Sequence, residues 1–188
     1  MTGIHPMGIP NILTFLRIIL IPFFILLFYL PFRGSHVLAA IIFIFAAMTD
    51  WLDGYLARSL GQVSKLGTFL DPVADKLMVV TALILLVGDR ALPYLEIPAI
   101  VIICREIMVS ALREWMSEIG KRKQLAVTML GKIKTTLQML AIILLLLYKP
   151  GAWKGFAWSG YILLYLAVFL TLWSMCLHLK AAWRDLSS

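Results

Sequence analysis

The sequence predicts an all-α integral membrane protein with six transmembrane helices. The chain has 188 residues, of which 62% are hydrophobic and only 14% are charged, and its mean hydropathy is +0.94. A soluble globular protein of this size needs far more polar surface than this composition supplies. Six apolar runs, each of roughly the 20 residues that cross a bilayer, are separated by turn or charge signals.

The six runs follow one another with short connections. They lie near residues 11–31, 37–57, 68–88, 95–116, 130–149 and 157–178. The first contains Arg17 and Pro22, so it begins either as an interfacial helix or directly as a span, and its proline is tolerated where neighbouring helices satisfy the freed carbonyl. The polar segment 59–66 suits a tight connection between two antiparallel helices. With no repeat or linker, residues 1–188 are predicted to form a single membrane-embedded domain.

Lysine and arginine are distributed unequally over the two sides of this bundle. With the N-terminus inside, ten lie on cytoplasmic segments: Arg58, Lys65, Arg113, Lys121, Arg122, Lys123, Lys132, Lys134, Lys180 and Arg184. Four lie on the other side: Arg33, Arg90, Lys149 and Lys154. By the positive-inside rule, the junction of the second and third spans faces the cytoplasm. The net charge of +7 fits basic loops beside anionic membrane lipids, and no nucleic-acid partner is predicted.

Four aspartates, Asp50, Asp53, Asp71 and Asp75, stand close together in this apolar chain. An ionised aspartate inside a membrane costs about 2.5 kcal/mol or more, so these residues need partners. At about 100° per residue the first two share one helix face and the last two share another, so facing helices would bring the four carboxylates together. Oxygen ligands without nearby Cys or His favour Mg²⁺ or Mn²⁺. The alternative is that they are helix caps and surface charges at the membrane interface.

Small and basic residues are interleaved with the aspartates. Gly54 and Ala57 carry little or no side chain and leave room for a flat group against the helix, and Gly67 is a third small residue among the aspartates. Arg58 can form a bidentate clamp on a phosphate group. For the small residues the alternative is close packing between helices.

A second polar group occupies the fourth and fifth predicted spans. It comprises Arg105 and Glu106, then Arg113, and finally Lys132 and Lys134. Cations at membrane depth usually mark an anionic substrate or an ion pair. Arg105 and Arg113 are about 80° apart on a helix and can line one pocket, whereas Lys132 and Lys134 are about 200° apart and cannot both point inward. The alternative for Arg113 and Lys132 is an anchoring role under the positive-inside rule.

The string Asp50-x2-Asp53-Gly54-x2-Ala57-Arg58-x8-Gly67-x3-Asp71-x3-Asp75 resembles the signature of the CDP-alcohol phosphatidyltransferase family at every defined position. The resemblance implies a six-helix membrane fold in which the four aspartates bind two divalent cations, Mg²⁺ or Mn²⁺. These cations in turn hold the diphosphate of a CDP-linked lipid, with its cytidine against Gly54 and Ala57. The resemblance also implies that Asp75 is the general base.

The wider sequence, from about residue 9 to about 178, is similar to the bacterial phosphatidylglycerophosphate synthases. The matching strings are Ile9–Thr14 with Arg17, Thr49–Gly54, Leu70–Lys76, Arg105–Ile107, Ala111–Trp115 and Gly131–Thr135. This similarity implies CDP-diacylglycerol and sn-glycerol 3-phosphate as substrates, in a homodimer of the bacterial inner membrane whose active site faces the cytoplasm. The implied acceptor-phosphate ligands are Arg113 and Lys132, with Arg105 and Lys134 as further candidates. Asn11, Thr14 and Arg17 are implied at the nucleotide end.

Other functions remain open at this stage. A relative with serine, inositol phosphate or phosphatidylglycerol as the acceptor would carry the same aspartate string. A divalent-cation transporter could also place aspartates on facing helices, although Arg58 and the later cations would repel its cargo. A membrane scaffold that has kept a metal-binding hairpin is a third alternative.

Overall fold

The computed structural model describes residues 9–32, 34–60, 65–118, 129–148 and 153–186, and the regular structure in these ranges is entirely helical. There are six helices in this part of the chain: α1 Ile9–Tyr29, α2 Ser35–Leu60, α3 Lys65–Gly88, α4 Glu96–Glu118, α5 Met129–Leu147 and α6 Gly155–Leu186. The predicted all-α class is therefore confirmed.

The helices coincide with the predicted spans but differ from them at several ends. The predicted connection 59–66 is too long on both sides, because α2 continues to Leu60 and α3 begins at Lys65. Residues 61–64 lie outside the described ranges. The sixth helix continues past the predicted end at 178 to Leu186. Hydropathy marks where an apolar stretch ends, whereas backbone hydrogen bonding carries a helix on into polar sequence.

The helices pack pairwise around a shared apolar core. The first helix lies against α2 and α3, α2 also contacts α5, and α4 contacts α3 and α6. Phe24 of α1 and Phe43 of α2 are fully buried, with ring centroids 6.2 Å apart. The most extensive contact is between α5 and α6. A Cβ atom at Gly160 would lie 2.7 Å from Cγ of Leu145, so a larger residue there would require the Leu145 side chain to shift.

The outer surface of the bundle is strongly apolar. On α1 alone, Ile19, Phe23 and Leu26 are each more than half exposed. Soluble monomers rarely show large continuous apolar patches, so this surface fits contact with lipid. Within the described residues, Ile12–Tyr29 and Gly155–Cys176 are long and apolar enough to cross a membrane, and Ser35–Asp50 and Ile133–Leu147 are shorter apolar stretches. The count of six spans stays a prediction.

Candidate active site

A cavity of about 540 Å³, lined by both apolar and charged side chains, lies between α2, α3, α4 and α5. Its lining comes from all four helices: Ala47, Asp50, Asp75, Lys76, Val79, Val80, Ile102, Glu106, Thr135, Thr136, Gln138 and Met139. The carboxyl groups of the second and third helices therefore face hydroxyl and amide groups of the fifth. The predicted meeting of α2 and α3 aspartates is observed for the two whose side chains are described.

Asp50 and Asp75 differ in their partners. The Nη1 atom of Arg17 donates to Oδ1 of Asp50 at 2.8 Å, with Arg17 only 1% exposed and Asp50 42% exposed at the side chain. The side chain of Asp75 makes no hydrogen bond or salt bridge with any described residue. Arg17 and Asp75 both line a void of about 10 Å³, roughly the space of one water molecule. A single buried guanidinium thus lies beside both carboxyl groups and is paired with Asp50.

Lys76 has a hydrogen-bond partner on α4. Its Nζ atom donates to Oγ of Ser110, and this hydroxyl donates in turn to the main-chain oxygen of Glu106 at 2.6 Å. Lys76 and Glu106 both line the cavity. The ammonium group is therefore tied to the α4 wall, and this link joins the α3 and α4 sides of the cavity.

Arg105 and Lys134, two of the predicted acceptor ligands, are both buried. The Nη1 atom of Arg105 lies 2.5 Å from Oε1 of Glu106, and its Nε atom is buried without a hydrogen-bond partner in the described part of the chain. Glu106 reaches the cavity, whereas neither Arg105 nor Lys134 is among its described lining residues. Arg105 therefore does not line the cavity itself and contacts Glu106, which does.

The sequence predicts candidate site residues on the fifth helix but does not single out three polar residues that line the cavity from α5. Thr135, Thr136 and Gln138 line the cavity, and Gln138 is buried. Gln138 carried a usable signal, because a buried amide inside an otherwise apolar helix usually has a partner or a function. Thr135 ends the matching string Gly131–Thr135, whereas Thr136 had no signal of its own.

Several predicted site residues have side chains that lie outside the described part of the structure. Their backbones belong to α1, α2, α3, α4 or α5: Asn11, Asp53, Gly54, Ala57, Arg58, Gly67, Asp71, Arg113 and Lys132. Thr14 is described and is fully buried in α1, three residues before Arg17. Thr14 and Arg17 share one face of this helix, the face turned towards Asp50.

The donor set of the cavity fits a hard divalent cation. Asp50 and Asp75 offer carboxylate oxygens, and the described lining contains no cysteine or histidine. Oxygen-only sites select Mg²⁺ or Mn²⁺ over zinc or copper. Among the described residues no group of three metal-binding side chains converges. Asp50 and Asp75 are two of the four predicted metal ligands, and the side chains of the other two, Asp53 and Asp71, lie outside the described part of the structure.

The fold and the cavity together define a class of membrane protein. Its apolar outer surface fits contact with lipid, and the carboxyl groups that line its cavity suit a polar ligand between the helices. Residues 7–173 match the family model of the CDP-alcohol phosphatidyltransferases. The chain belongs to the CDP-alcohol phosphatidyltransferase family, as its aspartate string predicts.

Relatives are similar to this chain over nearly its whole length. A protein from Pseudomonas fluorescens is 54% identical over 183 residues, covering 97% of this chain and 93% of its own. One from Yersinia enterocolitica is 50% identical over 180 residues, covering 96% and 97%. One from Salmonella typhimurium is 49% identical over 179 residues, covering 95% and 97%. All three are named CDP-diacylglycerol–glycerol-3-phosphate 3-phosphatidyltransferase.

Proposed function

We propose that this enzyme transfers the phosphatidyl group of CDP-diacylglycerol to sn-glycerol 3-phosphate, giving phosphatidylglycerophosphate and CMP. The observation that carries the proposal is the cavity of about 540 Å³ in which Asp50 and Asp75 face the hydroxyl and amide groups of α5. Its volume is in the usual range for small-molecule sites. Relatives named for this reaction, 50% and 54% identical to the chain, support the same conclusion.

The carboxyl groups of Asp50, Asp53, Asp71 and Asp75 hold two divalent cations in this proposal. When bound, Mg²⁺ or Mn²⁺ neutralises charge on the diphosphate and orients the phosphoryl group. Arg17 restrains the Asp50 carboxyl through its 2.8 Å salt bridge, and this fixes one ligand at the cavity wall. A ligand held in this way loses less conformational entropy when it binds a cation.

The nucleotide end of the substrate lies along α1, α2 and the start of α3 in this proposal. Gly54 and Ala57 leave room for the cytidine, and Arg58 pairs with the diphosphate. Gly67, Asn11 and Thr14 complete this end. The burial of Thr14 on the helix face that carries Arg17 supports its inclusion, because that face is turned towards Asp50.

Asp75 accepts the proton of the acceptor hydroxyl. As the primary hydroxyl oxygen of glycerol phosphate forms a bond to the phosphatidyl phosphorus, the bond from that phosphorus to the CMP oxygen breaks. CMP leaves with the electron pair, and the hydroxyl proton moves to the Asp75 carboxylate. A general base must lie within hydrogen-bond reach of the proton it takes. Asp75 lines the cavity, and its side chain makes no hydrogen bond or salt bridge with the described residues, which supports this role.

The acceptor phosphate is held at the α4 and α5 side of the cavity. The proposed cations are Arg113 and Lys132, with Arg105 and Lys134 supporting them. Arginine and lysine are suited to a phosphate group, and an uncharged acceptor would not need them. The contact between Arg105 and Glu106, a cavity residue, supports a positioning role for Arg105.

The whole chain, residues 1–188, forms one membrane domain with six spans in this proposal. The protein lies in the bacterial inner membrane, with the cavity open to the cytoplasm, and it forms a homodimer. The excess of lysine and arginine on the segments assigned to the cytoplasm supports this orientation. CDP-diacylglycerol then enters laterally from the bilayer, and glycerol phosphate arrives from the cytoplasm.

An acceptor panel tests the proposed reaction. Purified protein receives CDP-diacylglycerol with glycerol 3-phosphate, serine, inositol phosphate or phosphatidylglycerol, each with and without Mg²⁺ or Mn²⁺. Of the four acceptors, we expect only glycerol 3-phosphate to give CMP and a new phospholipid. We expect this product only when a divalent cation is present. A lipid product from serine, with none from glycerol 3-phosphate, would overturn the acceptor. Metal flux into proteoliposomes without CMP release would favour a transporter.

A further inference from the structure

A second cavity, of about 520 Å³, lies at the end of the bundle away from the aspartates. It is lined by Ala91, Pro93, Tyr94, Tyr148, Lys154, Ala157, Trp158, Tyr161 and Tyr165. These residues come from the connection between α3 and α4, from Tyr148 directly after α5, from Lys154 directly before α6, and from the first turns of α6. On α3, Asp75 is 13 residues before the helix end at Gly88, or about 20 Å along the axis. The two cavities are therefore separate.

The wall of this second cavity is held by hydrogen bonds between distant parts of the chain. The hydroxyl of Tyr161 donates to the main-chain oxygen of Pro93 at 2.5 Å, and that of Tyr165 donates to the main-chain oxygen of Tyr94 at 3.1 Å. Tyr94 has a φ of 65°, which a bulky side chain rarely adopts. Backbone conformations of this kind cost energy and tend to occur at functional positions.

One charged side chain, that of Lys154, is among the described lining residues. The other lining groups are mainly aromatic rings, and tyrosine and tryptophan are typical of the boundary between lipid and water. A cation among such rings matches an anionic head group that sits at this boundary.

An exposed apolar stripe continues from the cavity along α6. Trp158, Ile162, Tyr165 and Phe169 stand at i, i+4, i+7 and i+11, so they share one helix face. All four are exposed, Trp158 by 69% and Phe169 by 61%. From Trp158 to Phe169 the stripe is about 16 Å long, which is close to half of the roughly 30 Å hydrocarbon core. Its length therefore matches one acyl chain of one leaflet.

We propose that the second cavity binds a glycerophospholipid from the leaflet opposite the active site. The lipid phosphate pairs with Lys154 among the aromatic rings, and an acyl chain lies along the stripe from Trp158 to Phe169. The positive charge of Lys154 supports binding of an anionic head group. The position and length of the stripe support binding of an acyl chain. This site takes no part in the transfer reaction.

Native mass spectrometry of the purified full-length protein tests this proposal. Protein in detergent is titrated with dioleoylphosphatidylglycerol, with dioleoylglycerol as the matched lipid that lacks a phosphate. Lys154→Gln removes the cation, and Lys154→Arg keeps it. Arg90→Gln is the matched control, because Arg90 is an exposed cation of the same end that is not among the described lining residues.

We expect the wild-type protein to retain one phospholipid. The affinity of Lys154→Gln for this lipid should be at least about tenfold lower, because the variant loses a hydrogen bond between a charged group and the lipid phosphate. Lys154→Arg and Arg90→Gln retain the lipid, and so does Asp50→Asn, which separates this site from the active site. Equal losses in Lys154→Gln and Arg90→Gln would overturn the proposal. Equal binding of dioleoylglycerol, displacement by inorganic phosphate, or a change of dimer to monomer in Lys154→Gln would also overturn it. None of these readouts depends on turnover.

Discussion

Asp50 and Asp75 line one cavity, yet their replacement by asparagine is expected to affect the free energy of unfolding differently. Asp50→Asn removes the carboxylate from the buried Arg17 guanidinium, 2.8 Å away. Asp75→Asn removes no hydrogen bond or salt bridge that the described residues make. We therefore expect the first change to lower the free energy of unfolding and the second to leave it nearly unchanged.

The exposures of the two partners set the size of the Asp50 effect. Breaking a fully buried ion pair costs about 3–5 kcal/mol. The Asp50 side chain is 42% exposed, so solvent screens this pair and reduces the expected loss to about 1–3 kcal/mol. For Asp75→Asn we expect no comparable loss, because the replacement breaks no hydrogen bond or salt bridge with the described residues. Its effect on rate is large, because a general base contributes about 10²–10⁴-fold.

The assay combines thermal unfolding in detergent, with a metal chelator present, and CMP release at saturating substrates. Asp89→Asn is the matched control, because it makes the same chemical change at the other end of the bundle, where Asp89 accepts a bond from the amide of Ala91 at 2.9 Å. This control should retain its transfer rate. Normal turnover in Asp75→Asn would refute the base assignment. If Asp75→Asn lost as much stability as Asp50→Asn, this would refute the conclusion that only Asp50 is stabilised by a salt bridge to Arg17.

Three further predictions concern packing, the α3–α4 link and the metal. Gly160→Ala should lower the free energy of unfolding by about 1–3 kcal/mol, because its Cβ atom would meet the Leu145 side chain. Gly88→Ala is the control and should not lower it, because a Cβ atom there would have nothing within 4 Å. Equal melting temperatures of the two variants would contradict this prediction. Ser110→Ala should lower the free energy of unfolding by about 1.5–3 kcal/mol, because it removes the hydrogen-bond acceptor of Lys76. Ser110→Thr keeps a hydroxyl group and should lower it less; thermal unfolding measures both. Removal of divalent cations by a chelator should abolish CMP release, and Mg²⁺ or Mn²⁺ should restore it; release that persists in the chelator would contradict a metal-dependent reaction.

The helices and the helix faces that carry the aspartates could be predicted because each depends on short-range periodicity. Apolar runs of membrane length predict helices, and spacings of three or four residues place side chains on one face. Asp50 and Asp75 accordingly line the same cavity, as predicted. Helix ends were less accurate, as at Leu60 and Leu186, because helical hydrogen bonding does not stop where hydropathy falls.

The partners of the polar side chains could not be predicted in the same way. The Arg17–Asp50 pair joins residues 33 apart, and the Lys76–Ser110 contact joins residues 34 apart. Each depends on the rotation of one helix against another. Helical spacing predicts that Arg105 and Arg113 can line one pocket. The packing of α4 shows instead that Glu106, the residue after Arg105, lines the cavity that contains Asp50 and Asp75.

The sequence by itself determined the all-helical class, the membrane character, the family and the positions of the four aspartates along α2 and α3. The tertiary structure decided that Arg17 pairs with Asp50, that Lys76 is tied to Ser110, that α5 closes the cavity with Thr135, Thr136 and Gln138, and that Gly160 brings α5 against α6. The division has a physical reason. Hydropathy and helical spacing are local properties of the chain, whereas side-chain partners depend on how the complete helices fit together in shape.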